Sequence, residues 1–387
     1  MATFAEEPVR SNGIAGLHAN DGFERLMLGG FLPLDPGPPL GVGGRESVAQ
    51  RWFGGAPRHH GFRNGRSALA LGACAAFGPI RTLWLPAYAC HAVADGAEAA
   101  MRNGDVARLA IYPLAPEGPL SPDAGFLASH LAPGDAVLVI SYFGRPPGQK
   151  LRRLAAARPD VVWIEDRAQA LWPGPAWGDA ILYSPRKLLG VADGGYCVVT
   201  PRGAARARAL PDQPAPPTEA EAPPVLRRFE DEPGNAAWFP AYRVAERRMS
   251  VGPGAPSRLT GALLARQDFR AIAAMRRANH AALRPLVPEA FHLAPAPDHP
   301  AWVPQGLPLL VPDAAGISAR MAESHVFCPV MWLDSIDPGP CARARSLAGR
   351  VLLLPLDQRY GPGEMGRVAS VFRAATSGSG SAVPRAA

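Results

Sequence analysis

Lysine is nearly absent from this chain, and one of its two lysines stands where a reactive amine could act. Of the 387 residues, 40 are lysine or arginine, and only Lys150 and Lys187 are lysine. A lysine amine can lose its proton in a desolvated site and condense with a carbonyl, whereas a guanidinium cannot. Lys150 lies at the start of an arginine-rich amphipathic helix, where a solvated charge is the simpler interpretation. We therefore predict that Lys187, which follows an apolar segment, carries the chemistry.

A carboxylate also follows an apolar segment. Residues 161–164 are Val-Val-Trp-Ile, and they lead directly into Glu165 and Asp166. At the carboxyl end of a strand, Asp166 would face the crevice where α/β proteins bind ligands, and its charge would raise the pKa of a protonated ring nitrogen there. The alternative is that Asp166 caps the N-terminus of a helix.

Two glycine-containing turns could bind an anion. Gly65, Arg66 and Ser67 precede an apolar helix, whose free N–H groups and Ser67 hydroxyl could hold a phosphate, although a simple helix cap would use the same residues. The loop that carries Ser184 and Lys187 ends in paired glycines at positions 194 and 195. Such glycines permit close approach of the backbone to a ligand or to a neighbouring loop.

Alternating apolar runs and helical stretches between residues 81 and 200 predict the elements that position these residues. This alternation is typical of an α/β domain with a mainly parallel sheet, in which ligands bind at the carboxyl ends of the strands. The predicted strands are 82–85, 106–111, 136–140, 161–164 and 180–183, and the predicted helices are 92–102, 123–131 and 148–157.

The stretch at 211–224 contains too many prolines to form a helix or a central strand, so we interpret it as a surface connection. Beyond it, helices at 241–250, 258–283 and 364–374 and strands at 307–311 and 351–354 predict a smaller C-terminal α/β domain. We expect an N-terminal arm at 1–60, a large domain at 61–240, the small domain at 241–375 and a flexible tail at 376–387.

Composition narrows the possible partners. The net charge of +7 attracts anions, but the arginines are scattered, so nucleic acid is not expected as a partner. An anionic cofactor or a phosphorylated substrate accounts for the surplus equally well. No run of 18 apolar residues and no signal-like N-terminus occur, so we expect no membrane partner and a cytoplasmic location.

The remaining motifs predict no metal site and no dinucleotide site. The five cysteines include no C-x-x-C pair, and His59 and His60 have no ligand partner at a suitable spacing. The glycines at 41–44 neither follow a convincing strand nor extend to G-x-G-x-x-G, which disfavours a nucleotide-binding dehydrogenase.

Taken together, the motifs resemble one known family. Gly-Arg-Ser-Ala-Leu at 65–69, Glu-Asp-x-Ala-Gln-Ala at 165–170 and Tyr-Ser-x-x-Lys at 183–187 with Gly-Gly at 194–195 are similar to the DegT/DnrJ/EryC1/StrS aminotransferases. Those are pyridoxal-phosphate enzymes of fold type I. The resemblance covers most of the chain, including the closing segment at 354–361 followed by Met365. Residues 85–90 and 184–187 match a little-characterised branch of the family best.

The resemblance implies a role for each motif residue. Lys187 would be the Schiff-base lysine and Asp166 the partner of the pyridinium nitrogen, while Gln169 would lie near the phenolic oxygen. The phosphate would be held by Ser184 together with Gly65, Arg66 and Ser67. Cys90, with Tyr88 and His91 beside it, stands where many relatives place an aromatic ring over the cofactor, and Ser141 stands where many have histidine. A homodimer is also implied, with the helical region around Tyr242, Arg243 and Arg258 completing the partner's site.

The activity that the resemblance implies is transfer of an amino group from an amino acid donor to a keto acceptor, and by analogy with the family we expect the donor to be glutamate. In the family the acceptor is typically a nucleotide-linked keto sugar used for surface polysaccharides or secondary metabolites. Two alternatives stay open at this point. One is a pyridoxal-phosphate lyase or dehydratase, and the other is a non-catalytic scaffold with the same fold.

Overall fold

A central sheet of mainly parallel strands organises the protein. The computed structural model describes residues 27–30, 32–37, 46–116, 120–214, 222–230, 238–295, 302–332 and 341–377. Within them the large sheet has the strand order β2-β8-β7-β6-β5-β3-β4. Its strands are β2 (Arg58–Phe62), β3 (Leu83–Pro86), β4 (Leu109–Tyr112), β5 (Ala136–Ile140), β6 (Val162–Asp166), β7 (Ala180–Tyr183) and β8 (Gly195–Val199). The five neighbouring strands β7, β6, β5, β3 and β4 pair in parallel, while β8 is antiparallel to both β7 and β2.

Several helices of the described residues begin next to a polar side chain that caps them. Asn64, Asp123 and Asp268 each accept a backbone N–H in the first turn of the helix that follows, which supplies a partner that the helix itself lacks. The helices are α1 (Val48–Phe53), α2 (Gly65–Ser67), α3 (Ala75–Phe77), α4 (His91–Arg102), α5 (Ala124–His130), α6 (Gln149–Ala157), α7 (Ala222–Glu230), α8 (Trp238–Arg248), α9 (Arg258–Arg266), α10 (Phe269–Leu283), α11 (Ala314–Glu323), α12 (Ala342–Leu347) and α13 (Pro362–Ser377). A π-helical turn over Ala68–Cys74 joins α2 to α3, so the helical backbone is continuous from 65 to 77.

The C-terminal part contains two small sheets. Strands β9 (Leu307–Leu310) and β11 (Val351–Leu354) are antiparallel, while β1 (Leu28–Gly29) pairs in parallel with β10 (Val326–Phe327). Helices α11 and α13 pack on these strands through an apolar cluster that includes Met321, Met365 and Phe372. A segment from the start of the described chain is thereby tied to the end of it.

Several predicted elements match the structure, and others needed correction. The strands predicted at 136–140, 180–183 and 351–354 have those bounds. The strand predicted at 106–111 begins only at Leu109, because Val106 forms an isolated bridge with Ile80. The single helix predicted at 258–283 is two helices, since Asp268 caps a second one.

The predicted C-terminal end of the proline-rich connection was wrong. Helix α7 begins at Ala222 with prolines in its first turn, where a missing N–H costs no hydrogen bond. Residues 215–221, like 41–44 and 378–387, lie outside the described residues. Leu263 and Phe269 pack with Tyr183 in one cluster, so helices from beyond position 240 also cover the large sheet. The domain boundaries stay a prediction.

Candidate active site

The carboxyl ends of three neighbouring parallel strands bring the candidate residues together. In the register of the sheet Asp166 lies opposite Ile140 on one side and Leu182 on the other. The Ser141 N–H donates to the Asp166 carbonyl at 2.9 Å, which extends the pairing to the residue after β5. The segments that follow β5, β6 and β7 therefore begin side by side at the edge where ligands of such sheets bind.

Asp166 is a buried carboxylate close to the candidate lysine. Burial raises the pKa of its carboxyl group, whereas the charge of Lys187 and a hydrogen bond from the Ala168 N–H to Oδ1 at 2.8 Å oppose that rise. No helix follows Asp166. The alternative role of Asp166 as a helix cap is thus excluded, and its charge is available to a ligand.

The neighbouring acidic residue has a structural role on the other face of the strand. Side chains alternate along β6, so Glu165 points away from Asp166. Its Oε2 accepts two bonds from Arg167, at 2.6 and 3.0 Å, and its Oε1 accepts the N–H groups of Trp177 and Gly178. Both charged side chains are buried. This pair holds the end of β6 against the loop before β7, and removing one partner would leave a buried charge alone.

Lys187 lies in a short 3₁₀ turn, Pro185–Lys187, directly after β7. It is partly buried, while Lys150 is exposed on α6, which agrees with the different roles predicted for the two lysines. The preceding residue is firmly held: Arg186 donates to both carboxylate oxygens of Glu246 on α8, at 2.6 and 2.9 Å, and to the Tyr242 hydroxyl at 2.9 Å. Burial raises the pKa of Glu246, but the charge of Arg186 and the hydrogen bonds from Arg186 and the Tyr242 hydroxyl outweigh burial and lower that pKa to about 2.

The turn before α2 lies against the loop that carries Ser184. A Cβ atom placed on Gly65 would lie 3.5 Å from the Ser184 Cβ and 3.6 Å from its Oγ. Gly195 packs even more closely, since a Cβ atom there would lie 2.2 Å from the Asn64 carbonyl oxygen. Only glycine fits at position 195. The first turn of α2 and the Ser184 hydroxyl lie side by side, so together they could form a cradle for an anion.

The side chains of two predicted phosphate ligands are used within the protein. The Ser67 N–H donates to Asn64 Oδ1 at 2.9 Å, and the buried Ser67 hydroxyl accepts the Gly252 N–H at 3.1 Å. The Arg66 guanidinium forms an ion pair with Asp95 on α4 at 3.0 Å. The cradle is therefore left with the first-turn N–H groups of Gly65 and Arg66 and the Ser184 hydroxyl, because N–H groups in a first turn have no partner inside the helix.

The other predicted site residues are Gln169 and the residues around Cys90. Gln169 is buried, and its Oε1 accepts the N–H of Phe143 at 3.2 Å, in the loop after β5. Cys90 is partly exposed and immediately precedes α4. The Tyr88 side chain is buried, and its hydroxyl donates to the Met331 carbonyl at 3.2 Å. The Tyr88 side chain is thus part of the core. That Cys90 lies over a cofactor ring stays a prediction.

Other residues of the site escaped the sequence analysis. Asn64 could have been found, since Asn followed by Gly before an apolar helix is a capping signal. Tyr112 and Tyr142 could not, because their proximity to Asp166 is visible only in the fold, where its charge adds to burial in raising their pKa values. Among the described residues no group of three or more His, Cys, Asp or Glu side chains is arranged to bind a metal ion, and His59 and His60 lie in β2.

This set of groups fits pyridoxal phosphate. The ring nitrogen of the cofactor requires a buried carboxylate, its aldehyde requires an amine and its phosphate requires N–H and hydroxyl donors. Asp166, Lys187 and the cradle at Gly65 and Ser184 would supply these groups in turn. Burial raises the pKa of Asp166, which means that it disfavours the ionised carboxylate. A cation such as a protonated ring nitrogen beside Asp166 would stabilise that carboxylate, and the carboxylate would in turn stabilise the cation.

Comparison with solved structures confirms the fold. No family model and no curated protein matches the sequence. The structure of 3-amino-5-hydroxybenzoic acid synthase matches with a TM-score of 0.57 at 14% identity, over 84% of this chain and 88% of that one. DesV of S. venezuelae matches with a TM-score of 0.58 at 18% identity, over 84% and 86% of the two chains. A DegT DnrJ EryC1 StrS aminotransferase of Brucella abortus matches with a TM-score of 0.54 at 17% identity, over 84% and 87%.

At identities this low, the structural similarity establishes a common fold and nothing beyond it. The chain therefore has fold type I of the pyridoxal-phosphate-dependent aminotransferases, as the motifs predicted. No helix among the described residues is long and apolar enough to cross a membrane.

Proposed function

We propose that the protein is a pyridoxal-phosphate-dependent aminotransferase of the DegT/DnrJ/EryC1/StrS family. The observation that carries this proposal is the proximity of Lys187 to the buried Asp166, in segments at the carboxyl ends of adjacent strands, together with the cradle of Gly65 and Ser184. The shared fold adds to it, but a fold alone does not define an activity.

Each group then has one task in amino transfer. Bound pyridoxal phosphate supplies an electron sink for the carbanion that forms when an amino donor loses its α-proton. Asp166 keeps a proton on the ring nitrogen through its negative charge. The Lys187 amine takes the α-proton of the donor and later returns a proton, acting first as base and then as acid. Gln169 would interact with the phenolic oxygen, and the cradle would hold the phosphate through N–H and hydroxyl groups.

The donor and the acceptor are proposed from the resemblance and from charge. Glutamate is the expected donor, and the expected acceptor is an anionic keto compound. In the family the typical acceptor is a nucleotide-linked keto sugar for polysaccharide or secondary metabolite synthesis. The net charge of +7 supports an anionic acceptor. A cytoplasmic location and a homodimer belong to the same proposal.

The test is covalent labelling of the lysine. The purified protein incubated with pyridoxal phosphate should absorb visible light, and borohydride reduction should fix the cofactor mass on the peptide that contains Lys187. Lys187→Ala should abolish the label, whereas the matched control Lys150→Ala should keep it. A label on Lys150, or none on any lysine, would refute the proposal.

Product analysis separates transfer from the two alternatives. With glutamate alone, an aminotransferase releases one equivalent of 2-oxoglutarate per site and converts the cofactor to its amino form, which a keto acceptor then restores. A lyase or dehydratase would release an eliminated group while the visible band persists. A scaffold would leave both the donor and the absorbance unchanged.

A further inference from the structure

The carbonyl group of Leu188, the residue after Lys187, is held by two side chains from distant parts of the chain. Arg276 on α10 donates to it from Nη2 at 3.0 Å, and Gln358, between β11 and α13, donates from Nε2 at 3.1 Å. The two side chains also bind each other, since Arg276 Nε donates to Gln358 Oε1 at 2.8 Å. One peptide oxygen beside the lysine thus accepts two bonds from a preassembled pair.

Arg276 is an unusual residue for this position, because it is buried and its direct partners are neutral. Besides Leu188 and Gln358 it donates from Nη1 to the carbonyl oxygens of Gln305 at 2.9 Å and Pro304 at 3.3 Å. Burial lowers its pKa to about 10, with the charge of Arg359 adding to the fall and that of Asp357 opposing it. Burying a guanidinium is costly, and here that cost is offset by hydrogen bonds that fix the guanidinium to four oxygens, those of Leu188, Gln358, Gln305 and Pro304.

The other half of the pair is fixed to the same helix. Asn279, almost one helical turn after Arg276, donates from Nδ2 to the carbonyl oxygens of Leu356, Asp357 and Tyr360 at 2.8 to 3.2 Å. Helix α10 therefore holds the turn that carries Gln358 as well as Gln358 itself. Such support fixes the position of both donors before any ligand binds.

The lysine lies between two tethered neighbours. On one side Arg186 is held by Glu246 and Tyr242. On the other side the Leu188 N–H donates to the Pro185 carbonyl at 2.9 Å while the Leu188 carbonyl accepts from Arg276 and Gln358. With both groups of Leu188 bound, the backbone direction at Lys187 is set.

We propose that Arg276 and Gln358 are positioning residues for Lys187: they fix the Leu188 peptide and thereby the direction in which the lysine amine projects toward the cofactor. The inference rests on the proposed function, in which that amine binds the cofactor and moves the proton. A displacement of about 1 Å at such a group can reduce a rate on the order of 100-fold, so a distant pair of side chains can control it.

The experiment compares Arg276→Met, Arg276→Lys and Gln358→Leu with the control Arg277→Met, whose residue is the next one on α10 and is partly exposed. In cofactor-free protein, hydrogen exchange in the peptide spanning 184–190 should become faster by about tenfold or more in Arg276→Met and Gln358→Leu. Arg277→Met should exchange like the wild type. Arg276→Lys should recover part of the protection, because it keeps the charge and can still donate to one carbonyl.

With cofactor bound, Arg276→Met and Gln358→Leu should alter the pH titration of the visible band and slow borohydride trapping of Lys187, whereas Arg277→Met should do neither. We expect kcat to fall on the order of 10- to 100-fold while KM for the amino donor changes less than about threefold. A merely structural role would lower the unfolding temperature without moving the titration. If Arg276→Met does not fold, Gln358→Leu decides, since it keeps the buried arginine.

Two failures can be told apart. Unchanged exchange and an unchanged titration in both Arg276→Met and Gln358→Leu would overturn the positioning role while leaving the aminotransferase proposal intact. Absence of a cofactor label in the wild type would overturn the proposed function, and the positioning role for the reaction would fall with it.

Discussion

Asp166 is a residue whose proposed function requires a charge that destabilises the fold. Asp166 lies in the interior, where burial raises the pKa of its carboxyl group despite the nearby charge of Lys187. A group whose folded pKa is raised stabilises the fold only while it is protonated, and that stabilisation is lost as the pH rises. At neutral pH the ionised carboxylate is therefore a cost, and a protonated ring nitrogen placed beside it would offset that cost.

Asp166→Asn should act in opposite directions on stability and on catalysis. The cofactor-free variant should unfold at a higher temperature than the wild type at neutral pH, because a buried charge has been removed. With cofactor, the first half-reaction should slow by about two to four orders of magnitude, since losing a buried charge partner costs on the order of 3–5 kcal/mol. Scanning calorimetry and single-turnover absorbance measure the two effects.

Asp160→Asn is the control for that experiment, because Asp160 forms a surface pair with Arg158 at 2.7 Å. Such a pair contributes at most about 1 kcal/mol, and the variant should keep the wild-type half-reaction rate. Near-normal turnover in Asp166→Asn would contradict its assigned role.

A second residue predicts a pH dependence of stability. His280 on α10 is buried beside Trp302, and burial, with the charges of Arg284 and Arg145, lowers its pKa to about 4. In the unfolded chain a histidine titrates near pH 6.5. The unfolded state therefore binds more protons between these values, and the protein should lose stability as the pH falls through that window.

His280→Gln should flatten this dependence. Between pH 7 and pH 5 the wild type should lose about 2 kcal/mol more unfolding free energy than the variant, as the difference between the two pKa values requires. Urea unfolding at both pH values measures it. His60 and His292 also have lowered pKa values, so some dependence should remain in the variant. Equal slopes in the two proteins would contradict the burial of a neutral His280.

At the scale of elements, the part of the site that the sequence could predict is the part that follows from strand order. Asp166 and Ser184 come directly after apolar runs, and parallel strands end at one edge, so their convergence was foreseeable. The use of Ser67 was not, because its hydroxyl bonds Gly252, 185 residues away. The pairing of β1 with β10 is equally non-local. Contacts of this kind depend on the whole fold and leave no local pattern.

The contact of β8 with the turn before α2 yields an element-level prediction. Gly195→Ala would place a Cβ atom 2.2 Å from the Asn64 carbonyl, so the anion cradle must move. We expect a loss of about 1–3 kcal/mol in stability and weaker binding of pyridoxal phosphate, measured by urea unfolding and by absorbance titration.

The matched control is Gly261→Ala, in the interior of α9, where an added Cβ meets nothing within 4 Å. This variant should be neutral or stabilised by up to about 1 kcal/mol, because alanine favours a helix over glycine. A Gly195→Ala protein that binds the cofactor as tightly as the wild type would show that the cradle tolerates displacement.

At the scale of the whole molecule, hydrogen bonds connect the first described strand and the segment before α13 to the site. The Tyr360 hydroxyl accepts the Gly29 N–H at 2.9 Å and donates to the Met27 carbonyl at 3.2 Å, while Arg359 donates to the Gly29 carbonyl at 3.1 Å. The same turn carries Gln358, which binds the peptide beside Lys187. The first described strand, the closing segment and the lysine loop are thus parts of one network.

The face formed by α7 and α8 gives the last prediction, which concerns assembly. These helices pack on each other, and they expose Leu226 and Phe229, three residues apart on one side of α7, together with Phe239 on α8. Because α8 also holds Arg186 through Glu246, this face is linked to the lysine loop. We expect it to pack against a second copy of the chain in the predicted homodimer, since large apolar side chains gain from leaving water.

Phe229→Glu should then weaken the dimer at least about tenfold, because the new carboxylate would be buried without a partner. Sedimentation equilibrium should give twice the chain mass of 40.8 kDa for the wild type and a concentration-dependent mixture for the variant. Met101→Glu, which changes an exposed apolar residue on α4, is the control and should stay dimeric. A wild type that is monomeric and fully active at micromolar concentration would exclude a shared site, whereas a dimer unaffected by Phe229→Glu would place the interface elsewhere.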